Sequence, residues 1–227
     1  MANARSAVSG KWGAGYLIYV AISILLVLST VLPPFLAQAG IGAAQMMYAA
    51  DSTACHQLVR RSFCIYQNGS GLSIRDCING GNETLTGPDA FSGRPHMVFS
   101  DYGTGYAFGQ CARNTSIYLF MLVGALLYPL YRKTISTHVP HPAWLLLALV
   151  PMGVDGTTQL LAGMNPNWYW LSFMGLHEST NLLRVLTGGI AGFAISFYAI
   201  PLLNSALGMF IRPEKEMEPG PRTERQA

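Results

Sequence analysis

The sequence predicts an all-α integral membrane protein: a four-transmembrane-helix bundle with a large extracytoplasmic loop that contains a short helix. Only 11% of its 227 residues are charged, whereas soluble domains carry about 25%. Four tracts contain no charge and can reach the roughly 20 residues that a spanning helix needs. These tracts lie between Lys11 and Asp51, Arg113 and Arg132, Lys133 and Asp155, and Arg184 and Arg212.

Each uncharged tract supplies all or most of one predicted spanning helix. The spans are placed at 15–36, 115–131, 142–164 and 182–210, with an interfacial segment at 165–181. Pro33-Pro34 would end or kink the first span. That span exceeds the 7–15 apolar residues of a signal peptide, so we interpret it as an uncleaved anchor. Trp168, Tyr169 and Trp170 suit the headgroup level and place the interfacial segment there.

Lysine and arginine close to the span ends predict the orientation. They collect on one side, which is therefore cytoplasmic: Arg5, Lys11, Arg132, Lys133, Arg212 and Lys215. A multi-pass cell-membrane protein with both termini inside follows, with a cytoplasmic N-terminus at 1–14 and a disordered polar tail at 211–227. Segment 37–114 then lies outside, and its Gly40–Ala50 run either prolongs the first helix or lies in the interface.

All four cysteines fall in the predicted extracytoplasmic segment, where disulfides can persist. Four cysteines allow three pairings, and the sequence does not choose among them. Two structural disulfides would staple a loop rich in Gly, Asn and Ser. Cys64 and Cys77 are candidates for one of these disulfides.

Cys55, His56 and Cys111 form the candidate metal or redox group. Cys55 precedes His56 in a predicted short helix, and residues 51–53 can cap the start of that helix. Cys111 stands just ahead of the second span. Thiolate and imidazole are ligands that zinc and copper favour. A cysteine near a helix N-terminus and an arginine is also a candidate for a lowered pKa. A zinc or copper site and a disulfide, static or redox-active, both remain open, although neither a CxxC nor an HxxxH spacing is present.

Polar residues recur at or near membrane depth in the last two spans. The candidates for a functional pocket are Asp155, Thr158, Gln159, His177, Glu178, Asn181 and Arg184. A charge in hydrocarbon needs a partner, so Asp155 and Arg184 are predicted to be counter-charges. They form either an ion pair that fixes helix register or part of a polar pocket in which His177 or Glu178 exchanges protons. Glycines would let these helices approach closely, namely Gly153, Gly156, Gly188, Gly189 and Gly192.

Five short motifs together carry a family resemblance. They are "CHQ" at 55–57, "RSF" at 61–63, "CAR" at 111–113, "DGTTQ" at 155–159 and "NLLRVLTG" at 181–188. The chain resembles a family of small polytopic prokaryotic membrane proteins that is catalogued as a domain of unknown function. The resemblance covers about residues 50–195, supports the architecture and adds Arg61 and Arg113 to the candidate site residues. In that family "CAR" is usually followed by another cysteine, whereas this chain has Asn114.

Three classes of function follow from these patterns. The leading hypothesis is a cell-envelope protein whose Cys/His group binds a metal ion or acts as a thiol–disulfide couple. The second is a non-catalytic accessory subunit of a larger membrane complex. The third is a membrane-embedded enzyme or transporter for a lipid or small solute, acting through Asp155, His177, Glu178 and Arg184. Membrane lipids and complex subunits are the predicted partners. Nucleic acid is not one, because no basic surface is interleaved with aromatic residues.

Overall fold

The computed structural model describes residues 13–68, 71–78, 84–85, 93–131, 139–164 and 179–211. Its helices are α1 (Ala14–Gln38), α2 (Ala43–Asp51), α3 (Ala112–Tyr131), α4 (Pro142–Met164) and α5 (Asn181–Ile211). Within these ranges, four helices are long and apolar enough to cross a membrane: α1, α3, α4 and α5. Among the described residues, the four predicted spans therefore correspond, in the same order, to four candidate spanning helices. The interfacial segment 165–181 and both predicted tails lie almost wholly outside the described residues.

The all-α prediction is wrong for the large loop, which folds as a five-stranded antiparallel sheet in the order β2-β1-β5-β4-β3. The strands are β1 (Phe63–Asn68), β2 (Gly71–Asp76), β3 (Thr84–Leu85), β4 (Met97–Ser100) and β5 (Gly103–Ala107). The segments "FCIYQN" and "GLSIRD" are separated in sequence only by Gly and Ser. A two-residue spacing that contains Gly is a hairpin signal, so this part of the sheet has a mark in the sequence.

A small core explains why the loop folds. It contains a disulfide between Cys64 and Cys77, and both cysteines are fully buried together with Tyr48 of α2 and Tyr66 of β1. The Tyr48 hydroxyl donates a hydrogen bond to the carbonyl oxygen of Ala107, which joins α2 to β5. The Cys64–Cys77 pairing, one of the predicted candidates, is therefore present. Tyr48 of α2 adds to the core from outside the strands.

The chain turns sharply between α1 and α2. Gly40 adopts φ +68°, and the Ile41 and Gly40 amides donate to the carbonyls of Leu36 and Ala37 at 2.9 and 3.0 Å. This is a Schellman C-cap, in which a left-handed glycine satisfies the last carbonyls of a helix. Gly40–Ala50 therefore does not prolong the first helix. Pro33-Pro34 does not end that helix either, since both prolines lie inside α1.

The bundle alternates in direction, which separates its two ends. The start of α1 meets the last part of α5, where a Cβ on Gly15 would lie 2.6 Å from the Asn204 nitrogen. The start of α5 meets the sheet, because the Asn181 amide donates to Asp76 at 3.0 Å. One end of the bundle thus carries the start of α1 and the last part of α5, and the other end carries the sheet.

Glycines on α5 allow the closest helix contact in the bundle, and the partner is α3 rather than the predicted α4. A Cβ on Gly188 would lie 2.4 Å from the Ser116 hydroxyl, and one on Gly192 would lie 2.2 Å from the Ile117 carbonyl oxygen. Real Cβ atoms do not approach backbone so closely, so α3 and α5 depend on these glycines. Gly153 on α4 has nothing within 4 Å of an added Cβ.

Gly192→Ala is expected to lower the free energy of unfolding by about 1–3 kcal/mol, the usual cost of overpacking a filled contact. Gly153→Ala is the matched control, because it adds the same methyl group to a helix at an open position. We expect it to be neutral or stabilising by up to about 1 kcal/mol. Unfolding in bicelles measures both, and equal effects of the two substitutions would contradict the packing described above.

Candidate thiol site

The two remaining cysteines meet at the sheet end of the bundle. Cys55 and Cys111 are free and partly exposed, and their thiols form a hydrogen bond with each other. Cys111 immediately precedes α3, whereas Cys55 lies in the turn that follows α2, where its amide donates to the Asp51 carbonyl at 3.1 Å. The short helix predicted to contain Cys55 is therefore misplaced, because α2 ends at Asp51 instead of beginning there.

The surroundings of the two thiols give them different acidities. The hydrogen bond from Cys55 lowers the pKa of Cys111 to about 6, and the backbone amides of Asn114 and Arg113 and the Arg113 charge act in the same direction. The same thiol–thiol bond, together with burial, raises the pKa of Cys55. A thiolate at a helix N-terminus beside an arginine is the environment of reactive cysteines. The site therefore pairs one nucleophilic sulfur with one protonated thiol.

Gln57 holds the two cysteine-bearing segments together. Its fully buried side-chain amide donates to the Tyr48 carbonyl at 2.9 Å and to the Gly109 carbonyl at 2.7 Å, and it accepts from the Gly93 amide. Its backbone adopts φ +49°, which is uncommon for a residue other than glycine. Gln57 belongs to the "CHQ" motif, but its role is not visible in the sequence because its hydrogen-bond partners are distant in the chain.

Gln57→Leu is expected to lower the free energy of unfolding by about 2–4 kcal/mol, because it leaves the Gly109 carbonyl and the Gly93 amide buried without partners. The Tyr48 carbonyl keeps its hydrogen bond from the Ser52 amide. It should also weaken the Cys55–Cys111 contact and slow reactions of Cys111. Gln67→Leu is the control, since Gln67 is exposed on β1, and its effect should stay within about 0.5 kcal/mol. Chemical denaturation followed by tryptophan fluorescence measures both. Equal stability of the two variants would contradict the role of Gln57.

A second polar network lies beside the thiols. The Gln110 side chain donates to Asp51 at 2.8 Å and accepts from the Asn114 amide at 2.9 Å. Asn114 also donates to the Ala54 carbonyl at 3.5 Å, and burial raises the pKa of Asp51. Asn114 stands where relatives are expected to carry the second cysteine of a CxxC. In this chain the position supports the turn of Cys55 by hydrogen bonding.

The predicted metal site gains no support from the structure. His56 is exposed, and the described residues contain no group of three His, Cys, Asp or Glu side chains that could hold a metal ion. Within the part of the chain that the structure describes, Cys55 and Cys111 come together without the wider ligand set that zinc or copper would need. His177 and Glu178 lie outside the described residues.

The intramembrane charge of α4 is paired, but with a different arginine from the one predicted. Asp155 is buried and forms an ion pair with Arg113 of α3. The same guanidinium nitrogen donates to Gln159 at 3.2 Å, and the Thr187 hydroxyl of α5 lies 3.4 Å from the Asp155 carboxylate. The predicted Asp155–Arg184 pair is wrong. Arg113 thus connects the thiol site, through its backbone amide, with the intramembrane carboxylate, through its side chain.

The other candidates of the predicted pocket lie apart from the thiols. Arg184 is buried and donates to Asn181 at 2.8 Å, which in turn binds Asp76 at the sheet. Thr158 donates to the Asp155 carbonyl of its own helix at 3.0 Å. Arg61 is half-buried in a 3-10 turn that precedes β1. Asn181 and Arg184 therefore anchor α5 to the sheet.

The fold and the site define a polytopic membrane protein with a small sheet and a paired-thiol site at one end of its helices. The chain belongs to the family described as "Predicted membrane protein (DUF2085)", which matches residues 100–198, and the expected family is thereby confirmed. The uncharacterized protein MJ1492 of Methanocaldococcus jannaschii is 31% identical over 193 residues, covering 82% of this chain and 91% of that protein. An uncharacterized protein of Methanothermobacter thermautotrophicus is 35% identical over 105 residues, covering 45% and 78%. No solved structure matches the chain.

Proposed function

We propose that this protein is a membrane-bound thiol–disulfide oxidoreductase whose redox couple is Cys55–Cys111. The observation that carries the proposal is that these two free thiols, which come from distant parts of the chain, lie close enough together to interact directly. Both cysteine residues are partly exposed, which supports access by a substrate. By contrast, the Cys64–Cys77 disulfide is fully buried in the sheet core, as a structural bridge is.

The different acidities of the two thiols assign their roles in exchange. The Cys111 thiolate attacks a disulfide in a partner protein, forming a mixed disulfide and releasing one partner thiolate, which takes a proton from water. Cys55 then gives its proton to solvent and attacks the Cys111 sulfur, which releases the second partner thiolate. Cys55 and Cys111 are oxidised to a disulfide while the partner's disulfide is reduced, and the reverse sequence oxidises a partner dithiol.

Alkylation of the reduced protein by iodoacetamide across pH tests the assigned acidities. The thiolate is the reactive form, so Cys111 labelling should rise through pH 6 and level off near neutral pH, while Cys55 stays slow. Removing the hydrogen bond with Cys55→Ala should shift the Cys111 midpoint to higher pH. Equal labelling of both cysteines, each with the midpoint of an ordinary thiol, would contradict the proposal.

We also propose that the couple faces the extracytoplasmic side, with both termini in the cytoplasm. Lysines and arginines close to the helix ends support this orientation. The Cys64–Cys77 disulfide, which lies at the same end of the bundle as the two thiols, also supports it. After mild reduction of intact cells, an impermeant maleimide should label Cys55 and Cys111. A cysteine added at the tail by Ala227→Cys should be labelled only after lysis, and the opposite pattern would overturn the orientation.

A further inference from the structure

A closed ring of hydrogen bonds connects the two segments that carry the free cysteines. The Asp51 carboxylate accepts from the Gln110 side chain at 2.8 Å, and Gln110 accepts from the Asn114 side-chain amide at 2.9 Å. Asn114 also donates to the Ala54 carbonyl at 3.5 Å. The Ala54 backbone amide closes the ring, because it donates to the backbone carbonyl of Asp51 at 3.1 Å. Each segment therefore contributes two members of the ring.

Both free cysteines lie directly beside members of this ring. Cys55 follows Ala54 in the sequence, and its backbone amide donates to the same Asp51 carbonyl at 3.1 Å. Cys111 follows Gln110, whose side chain is bound to the Asp51 carboxylate. The ring therefore fixes the backbone next to each sulfur, and in this way it sets how closely the two thiols approach each other.

The Asp51 side chain is buried and closely enclosed. Only 4% of the residue is exposed, and a Cβ on Gly109 would lie 2.2 Å from its Oδ2 atom. Burial raises the pKa of Asp51, and the groups that oppose this shift are neutral, namely the side chains of Gln110 and Ser29. A carboxylate buried among neutral groups is unfavourable, so stability alone does not explain an aspartate at this position.

Resting on the proposed function, we propose that Asp51 is the positioning residue of the Cys55–Cys111 couple. Its backbone carbonyl holds the turn of Cys55, and its carboxylate holds Gln110 next to Cys111. A disulfide forms only when the two cysteines approach within a narrow range of distance. A bond that ties their segments together therefore raises the effective concentration of one thiol at the other. Asp51 acts through Gln110 and does not itself react.

The test equilibrates the full-length protein in lipid nanodiscs with glutathione buffers. Two protein thiols become one disulfide while one oxidised glutathione is reduced to two thiols. Asp51→Ala removes the acceptor of Gln110, and we expect it to lower the effective concentration for closure about tenfold, the scale of a lost hydrogen bond to a charged group. This change raises the reduction potential by about 30 mV. Asp51→Asn keeps an acceptor oxygen and should recover most of the loss. Asp101→Ala, at an exposed position, is the matched control and should behave like the wild type.

Gly109→Ala tests the same contact from the other segment and leaves Asp51 and Gln110 unchanged. The added methyl group would collide with the Asp51 carboxylate, so we expect a shift in the same direction. In the Asp51→Ala background the methyl group no longer meets a carboxylate. There, Gly109→Ala should change the equilibrium by less than about twofold, because the two substitutions act through one contact. Gly42→Ala is the control, since nothing lies within 4 Å of its added Cβ.

The outcomes separate the positioning role from the proposed function. A cooperative unfolding transition identifies folded variants, and Gly109→Ala supplies the test if Asp51→Ala does not fold. If both variants close the disulfide like the wild type, or if Asp51→Asn loses as much as Asp51→Ala, the positioning role is overturned and the proposed function stands. Additive effects of the two alanine substitutions would also overturn the positioning role. If the folded wild type never forms the Cys55–Cys111 disulfide, both proposals are overturned.

Discussion

Cys111→Ser is expected to lower the rate of thiol–disulfide exchange by at least about 1,000-fold, because it removes the nucleophile on which every later step depends. A serine hydroxyl retains the size of the side chain but does not form an anion at neutral pH. The fold should persist, since Cys111 is partly exposed and the Cys64–Cys77 disulfide is untouched. The measurement is the reduction of a fluorogenic disulfide peptide by the reduced protein.

Two variants distinguish this chemistry from a general loss of structure. Cys55→Ser leaves the nucleophile in place but removes the resolving thiol, so a mixed disulfide at Cys111 should accumulate and be visible by mass spectrometry. The double variant Cys64→Ala and Cys77→Ala should lose about 3 kcal/mol of unfolding free energy and still exchange thiols while folded. Normal turnover in Cys55→Ser would contradict the assigned roles.

Asp155→Leu is expected to lower the free energy of unfolding by about 3–5 kcal/mol, because it leaves the Arg113 guanidinium without its counter-charge at membrane depth. The double variant Arg113→Met and Asp155→Leu should recover most of this loss, since a buried ion pair replaced by apolar groups is often nearly neutral. Thr157→Val, at an exposed position of α4, serves as the control and should change this free energy by less than about 0.5 kcal/mol. Steric-trapping measurements in bicelles give these free energies. A double variant as unstable as Asp155→Leu would contradict the pairing.

The spanning helices were predictable because lipid imposes a strong constraint on composition. Uncharged tracts of sufficient length mark α1, α3, α4 and α5, and no tertiary information is needed to recognise them. The sheet was not predicted because its strands are short and because part of its core comes from residues outside the strands. Tyr48 reaches the sheet from α2, and Cys77 reaches it through a disulfide. Neither contribution is visible in the local pattern of the strands.

The site was predicted in part. Cys55 and Cys111 were grouped with His56 in one candidate metal or redox site, because each cysteine is predicted to lie near a helix end on the same side of the membrane. The partner of Asp155 was missed because the second span was predicted to begin at residue 115, which left Arg113 outside it. The helix begins at Ala112, and this brings Arg113 into the bundle. Gln57 was missed since its hydrogen bonds reach Gly93 and Gly109.

The central claim is that Cys55 and Cys111 convert reversibly between a dithiol and a disulfide in the folded protein. The most direct measurement equilibrates the purified protein with glutathione buffers of graded redox potential and maps its disulfides by mass spectrometry. We expect one two-electron transition at Cys55–Cys111, while Cys64–Cys77 stays oxidised throughout. If the Cys55–Cys111 disulfide never forms, even in the most oxidising buffer and with the fold intact, the account is contradicted.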